Sequence, residues 1–137
     1  MLMKVLRNVN FLLILVCSLS CTPPDQQQTT IERVDVDTFE AKLNTLNNEF
    51  LIDVRTPGEY KSGHIDGATN IDFNQIDQMK VAFEKLDHNQ PMLIYCAAGG
   101  RSNKTRILMA EMGFTQVYEL SKGMSGWDAA GKPVSLK

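Results

Sequence analysis

Met92-Leu93-Ile94-Tyr95-Cys96-Ala97-Ala98-Gly99-Gly100-Arg101-Ser102 runs from an apolar stretch through a cysteine into a loop of small residues closed by an arginine. Four consecutive apolar residues read as a strand buried on both faces. Ser102 to Met112 reads as the helix that follows it. A thiol at the carboxyl end of a buried strand, with a helix N-terminus behind it, is placed to be held as a thiolate nucleophile. The backbone N–H groups of Ala97, Ala98, Gly99, Gly100, Arg101 and Ser102 supply partial positive charge if they point inward. Gly99 and Gly100 permit the tight backbone this needs. Arg101 has two equal readings, a permanent charge beside the thiolate or a tie from the loop to a carboxylate. No general base is visible near Cys96.

Outward from this segment, short apolar runs alternate with amphipathic stretches. Ile31 to Val36 reads as an edge strand. Asp37 and Glu40 have the spacing of a capping box, and Phe39, Leu43 and Leu46 then share one helical face. Phe50 to Val54 reads as a strand that Pro57 and Gly58 break, with loop from Gly63 to Gly67 ahead of Ala68 to Ile71. Ile76, Met79, Phe83 and Leu86 recur at helical spacing over Gln75 to Leu86, a stripe for the core. Gly113 is placed to cap the helix after the cysteine loop, with Phe114 packing back on Met109. Gln116 to Leu120 is the last strand and Met124 to Ala130 a short terminal helix. The alternation predicts an α/β fold, a central parallel sheet of about five strands with helices on both faces. Ligands of such sheets sit at the carboxyl ends of the strands.

With 137 residues, 43% hydrophobic and 22% charged, one core suffices, and a domain of this size folds as a single copy. A net charge of -2 offers no footprint for nucleic acid. The two histidines, His64 and His88, stand far apart without a cysteine cluster, so no metal site and no cofactor are expected. Residues 1–20 carry Lys4 and Arg7 ahead of the apolar stretch Phe11 to Val16, then small residues, which is the pattern of a signal peptide. The apolar stretch is shorter than the roughly 20 residues a membrane helix needs. Ser18-Leu19-Ser20-Cys21 resembles a bacterial lipoprotein signal, which implies lipidation of Cys21 and a membrane contact through that lipid. Residues 21–30, with Pro23-Pro24 and Gln26 to Gln28, read as a flexible tether, and 31–137 as the folded domain. The expected location is the bacterial cell envelope, facing the periplasm or the surface. Of three cysteines, Cys17 leaves with the signal and Cys21 carries lipid, so Cys96 is left without a disulfide partner. A buried, inert cysteine is the bland alternative.

Four segments together resemble a known family: Asp53 to Tyr60, Gly63 to Ile71, Cys96 to Ser102, and Lys122 to Trp127. In this order and spacing they resemble a single-domain rhodanese, a sulfurtransferase, over roughly Ile31 to Val134. The resemblance implies that Cys96 accepts a sulfane sulfur as a persulfide and passes it to a thiol or cyanide-like acceptor, with a small sulfur donor or a protein as partner. Cys96 is then the covalent catalyst, and Ala97 to Ser102 bind the substrate. It also implies a structural role for His64 and a core role for Trp127. Arg55 and Glu59, four residues apart, are expected to form an ion pair, and Asp53 either orients the loop or lies near the pocket. Positions after the cysteine that are often Arg or Lys in the family are Ala97 and Ala98 here. Two rivals remain. One is a related cysteine phosphatase or arsenate reductase, whose loop carries one residue more than the four between Cys96 and Arg101. The other is a tethered rhodanese module that carries sulfur or docks a protein without turnover.

Overall fold

A computed structural model describes residues 28–46 and 50–136. The signal peptide, Cys17, Cys21 and most of the tether lie outside the described residues. Five strands form one sheet: β1 (Thr30–Val34), β2 (Leu51–Asp53), β3 (Thr69–Asn70), β4 (Met92–Tyr95) and β5 (Gln116–Leu120). Their spatial order is β1-β5-β4-β2-β3 and every pairing is parallel. The described helices are α1 (Val36–Leu46), α2 (Pro57–Lys61), α3 (Ile76–Glu84), α4 (Gly100–Glu111) and α5 (Gly123–Ala129). The α/β class, the parallel sheet and the strand count are as the alternation predicts.

Successive residues of a strand point to opposite faces, and β4, buried along its whole length, splits its side chains between two cores. Leu93 and Tyr95 join Phe39 and Leu43 of α1 and Met124 and Trp127 of α5. Met92, Ile94 and Cys96 join Met79 and Phe83 of α3 and Met109 of α4. The sheet is therefore covered on both faces, as a parallel sheet must be. Trp127 is 2% exposed and donates its indole N–H to the Pro133 carbonyl at 2.9 Å.

Three local readings are corrected. The cap of α1 is Asp35, whose Oδ1 accepts the Thr38 N–H at 2.9 Å, so Asp37 lies inside the helix. Pro57 and Gly58 do not merely break β2 but open α2. Thr56 and Glu59 form its capping box with Pro57 just inside, because proline's missing N–H is unneeded in a first turn. Ile76, expected in the buried stripe of α3, is 39% exposed, while Met79 and Phe83 carry the contact. After α4 the chain turns as expected. Gly113 takes a φ of 92°, and its N–H and that of Phe114 donate to Ala110 and Met109 carbonyls at 3.1 and 3.0 Å.

Candidate active site

β4 ends at Tyr95, and Cys96 is the first residue past the sheet edge. Gly99 caps α4 with φ 90° and ψ 0°, a left-handed conformation that returns the chain at once into the helix. A side chain is excluded here, since a Cβ would stand 2.1 Å from the Ser121 carbonyl oxygen. Gly100, by contrast, is helical with open space around it, so of the two glycines only Gly99 is required by the turn.

The first two carbonyls of the loop face away from the thiol. The first turn of α5 binds them: the Met124 N–H donates to the Cys96 carbonyl at 2.8 Å, the Ser125 N–H to Ala97 at 2.9 Å, and the Ser125 hydroxyl to Ala97 at 3.0 Å. With the carbonyls held outside, the N–H groups turn in, and that of Gly99 lies 3.1 Å from Cys96 Sγ. Cys96 is 1% exposed. Burial alone pushes the thiol up. Hydrogen bonds to the sulfur from Ser102, given by its N–H and by its hydroxyl whenever that turns to the sulfur, and from the N–H groups of Ala98 and Gly99 outweigh it, so the net shift is below the ordinary thiol value. Of the six N–H groups from Ala97 to Ser102, those of Ala98, Gly99 and Ser102 are the ones that act on the sulfur. Ser102, however, lies beneath Sγ at 3.2 Å and is fully buried.

Of the two readings of Arg101, the tie to a carboxylate is the one seen. Its Nη1 and Nη2 donate to Glu59 Oε2 and Oε1 at 2.8 and 2.6 Å, the two-point geometry of a guanidinium on a carboxylate. Glu59 also accepts the Thr56 N–H at 3.0 Å, and with Arg101 as the largest cause its carboxyl is lowered to about 2. The expected Arg55–Glu59 ion pair is therefore absent. A carboxylate at the third position of a short helix is already committed to the cap, and Arg55 turns the other way. Its Nη2 donates to Asp53 Oδ2 at 2.6 Å and to the Gly63 carbonyl at 2.7 Å. Asp53, fully buried at the end of β2, clamps that turn. His64 lies 3.0 Å from the Tyr60 carbonyl through Nδ1 and stacks on the Tyr60 ring, away from the thiol's contacts.

Sequence reasoning missed Glu119. It occupies the fourth position of β5, opposite Ile94, and is fully buried. Its Oε1 accepts the Ser102 hydroxyl at 2.6 Å, and its Oε2 accepts Arg33 Nε from β1, also at 2.6 Å. The signal was a lone carboxylate between Tyr118 and Leu120 in Gln-Val-Tyr-Glu-Leu, a strand read as part of a covered sheet, since such a group is retained only when paired.

A family model for the Rhodanese-like domain matches residues 35–130. An uncharacterized Bacillus subtilis protein is 36% identical over 77 residues, 56% of this chain and 59% of the relative. The Escherichia coli thiosulfate sulfurtransferase PspE is 36% identical over 69 residues, 50% of this chain and 65% of the relative. The chain thus matches less than two thirds of the length of either. The solution structure of a rhodanese-like domain from an Anabaena protein, 28% identical, superposes with a TM-score of 0.64 over 75% of this chain and 77% of that one.

Proposed function

Because the chain belongs to the rhodanese-like domain family, we propose that it is a sulfurtransferase that carries one sulfane sulfur on Cys96 as a persulfide. The observation that carries this reading is the buried Sγ facing the Gly99 N–H at 3.1 Å, inside a loop whose first two carbonyls are bound elsewhere. Such a site holds one small, singly charged sulfur and needs no metal to do so.

In loading, the Cys96 thiolate attacks the outer sulfur of a donor. The Sγ–S bond forms, the bond between that sulfur and the rest of the donor breaks, and its electron pair leaves with the donor. The negative charge then rests on the new outer sulfur. In unloading, an acceptor thiolate or cyanide attacks that sulfur, the Sγ–S bond breaks, and its electron pair returns to Cys96 as thiolate. The loop N–H groups serve both directions, because the enzyme sulfur is anionic before loading and the terminal sulfur is anionic after it.

Ala97 and Ala98 add no charge at the mouth, and Arg101 is spent on Glu59. This favours a low-molecular-weight persulfide or a protein persulfide as donor over the dianion thiosulfate. Intact-mass measurement after incubation with each donor tests the reading. One sulfur, about 32 Da, is expected on the protein and not on Cys96→Ser. Absence of the adduct with every donor overturns sulfur transfer. A large preference for thiosulfate over glutathione persulfide in kcat/KM overturns the donor assignment alone.

A further inference from the structure

Behind Cys96 lies a row of three buried groups. Ser102 Oγ is 3.2 Å from Cys96 Sγ and 2.6 Å from Glu119 Oε1, and all three residues are at most 1% exposed. A serine hydroxyl has one hydrogen and cannot donate to both neighbours. An oxygen–oxygen distance of 2.6 Å also requires a hydrogen between Ser102 and Glu119, because that is the length of a hydrogen bond to a charged oxygen. Two arrangements satisfy both conditions. With Glu119 ionised, Ser102 donates to Glu119, and the only hydrogen bond it can make to Cys96 is as acceptor from the thiol S–H. With Glu119 protonated, Glu119 donates to Ser102, whose own hydrogen is then free for a Cys96 thiolate.

We propose that Glu119 is a positioning residue that sets the charge of the Cys96 nucleophile through Ser102, the two acids sharing one proton along the row Sγ, Oγ, Oε1. Moving between the two arrangements breaks the Sγ–H bond and forms an Oγ–H bond, while the former Oγ–H bond breaks and an Oε1–H bond forms. No electron pair leaves any heavy atom, and the net charge of the row is unchanged. Arg33, half-exposed on β1, donates its Nε–H to Glu119 Oε2 at 2.6 Å. That contact favours the first arrangement, while the Gly99, Ala98 and Ser102 N–H groups favour the second, in which the sulfur is the thiolate that loads. The other charged groups around the row are neutralised elsewhere. Arg101 on α4 feels the charge of Cys96 but is bound by Glu59 of α2, and Asp53 at the end of β2 is bound by Arg55.

This inference rests on the sulfurtransferase reading for its purpose but not for its test, which uses no sulfur donor. The Cys96 thiolate is titrated in the full chain by its absorbance near 240 nm, each variant read against the same variant carrying Cys96→Ser. Glu119→Gln keeps both contacts, with the amide oxygen facing Arg33 and the amide N–H₂ facing Ser102, and so copies the protonated acid. Its midpoint should fall by about one unit. Ser102→Ala should lower the midpoint by about half a unit in the wild-type background, where the hydroxyl accepts from the thiol. It should raise the midpoint by about as much in the Glu119→Gln background, where the hydroxyl donates to the thiolate. An unchanged or raised midpoint in Glu119→Gln, or a Ser102→Ala effect of the same sign in both backgrounds, overturns the proposal. If Glu119→Gln does not fold, Ser102→Ala alone decides: a fall supports the proposal, and a rise or no change overturns it. Sulfur loading that fails while these shifts appear sinks the function and leaves the relay standing.

Discussion

Gly99→Ala should cost the domain much of its stability, and Gly100→Ala, one residue on, should not. At Gly99 the φ of 90° is left-handed, which costs a residue with a Cβ about 1–2 kcal/mol. The added Cβ would also meet the Ser121 carbonyl oxygen at 2.1 Å and Arg33 Nη2 at 2.8 Å. The first of these is backbone, so the turn between β5 and α5 must move. Forcing a group into a packed site typically costs about 1–3 kcal/mol more. Together these come to about 2–5 kcal/mol against a total of about 5–15 kcal/mol for a domain. At Gly100 nothing lies within 4 Å of the Cβ position, and the backbone is already helical. Alanine there should stabilise by about 0.5–1 kcal/mol by restricting the unfolded chain. Urea denaturation reads both as changes in midpoint at constant slope. The Gly99 variant should also load sulfur poorly at urea concentrations where it is still folded, because the N–H that lies 3.1 Å from Sγ is displaced. A Gly99→Ala midpoint equal to the wild type would refute the reasoning, since it would mean the turn is not held by the contacts described.

Asp53→Ala should destabilise by about 3–5 kcal/mol, because it leaves the Arg55 guanidinium, whose side chain is only 7% exposed, without its carboxylate; chemical denaturation checks this, and a loss under about 1 kcal/mol would contradict it. Glu59 is held below its ordinary value of 4.5, at about 2, so its pairing with Arg101 stabilises the fold fully above pH 4.5 and is lost as pH falls through 2. The pair is about one-third exposed, which limits the effect to about 1 kcal/mol or less. Glu59→Gln should therefore flatten the decline in urea midpoint between pH 4.5 and 2, and an unchanged slope would remove the pair from the account.

The cysteine loop was legible because each of its features is local. An apolar run, a thiol, two small residues, a glycine and a helix follow one another in sequence, and their order dictates which groups point where. The Gly113 turn and the α3 contact through Met79 and Phe83 were legible for the same reason. What escaped was pairing across the fold. Arg55 and Glu59 stand four apart, but the turn before α2 sends them to Asp53 and Arg101, and no spacing rule reports that. Two capping boxes competed on paper: Asp37 with Glu40 had the spacing, whereas Thr56 with Glu59 was hidden by a proline read as a breaker. Glu119 reaches Ser102 only because β5 lies beside β4, a neighbour relation set by sheet order and not by chain order.

The same pairing explains what the loop can attract. Arg33, Arg55 and Arg101 surround the cysteine end of the sheet, and each meets a carboxylate from another turn or element: Glu119, Asp53 and Glu59. These contacts cross-link β1 to β5, close the turn after β2, and tie α4 to α2, so the arginines hold the geometry at the cost of free charge. Attraction at the sulfur is then left to the first turn of α4 and the inward N–H groups, whose combined pull amounts to roughly half an elementary charge. That matches a thiolate or a persulfide, each carrying one charge, and is too weak to gather a dianion. A neutral mouth over a weakly positive floor also admits a donor whose charge lies on the transferred sulfur itself. Under the proposed function, donor choice follows from where the arginines are spent, and under the proposed relay the nucleophile's own charge is decided one layer deeper, by the proton that Ser102 can give to only one neighbour.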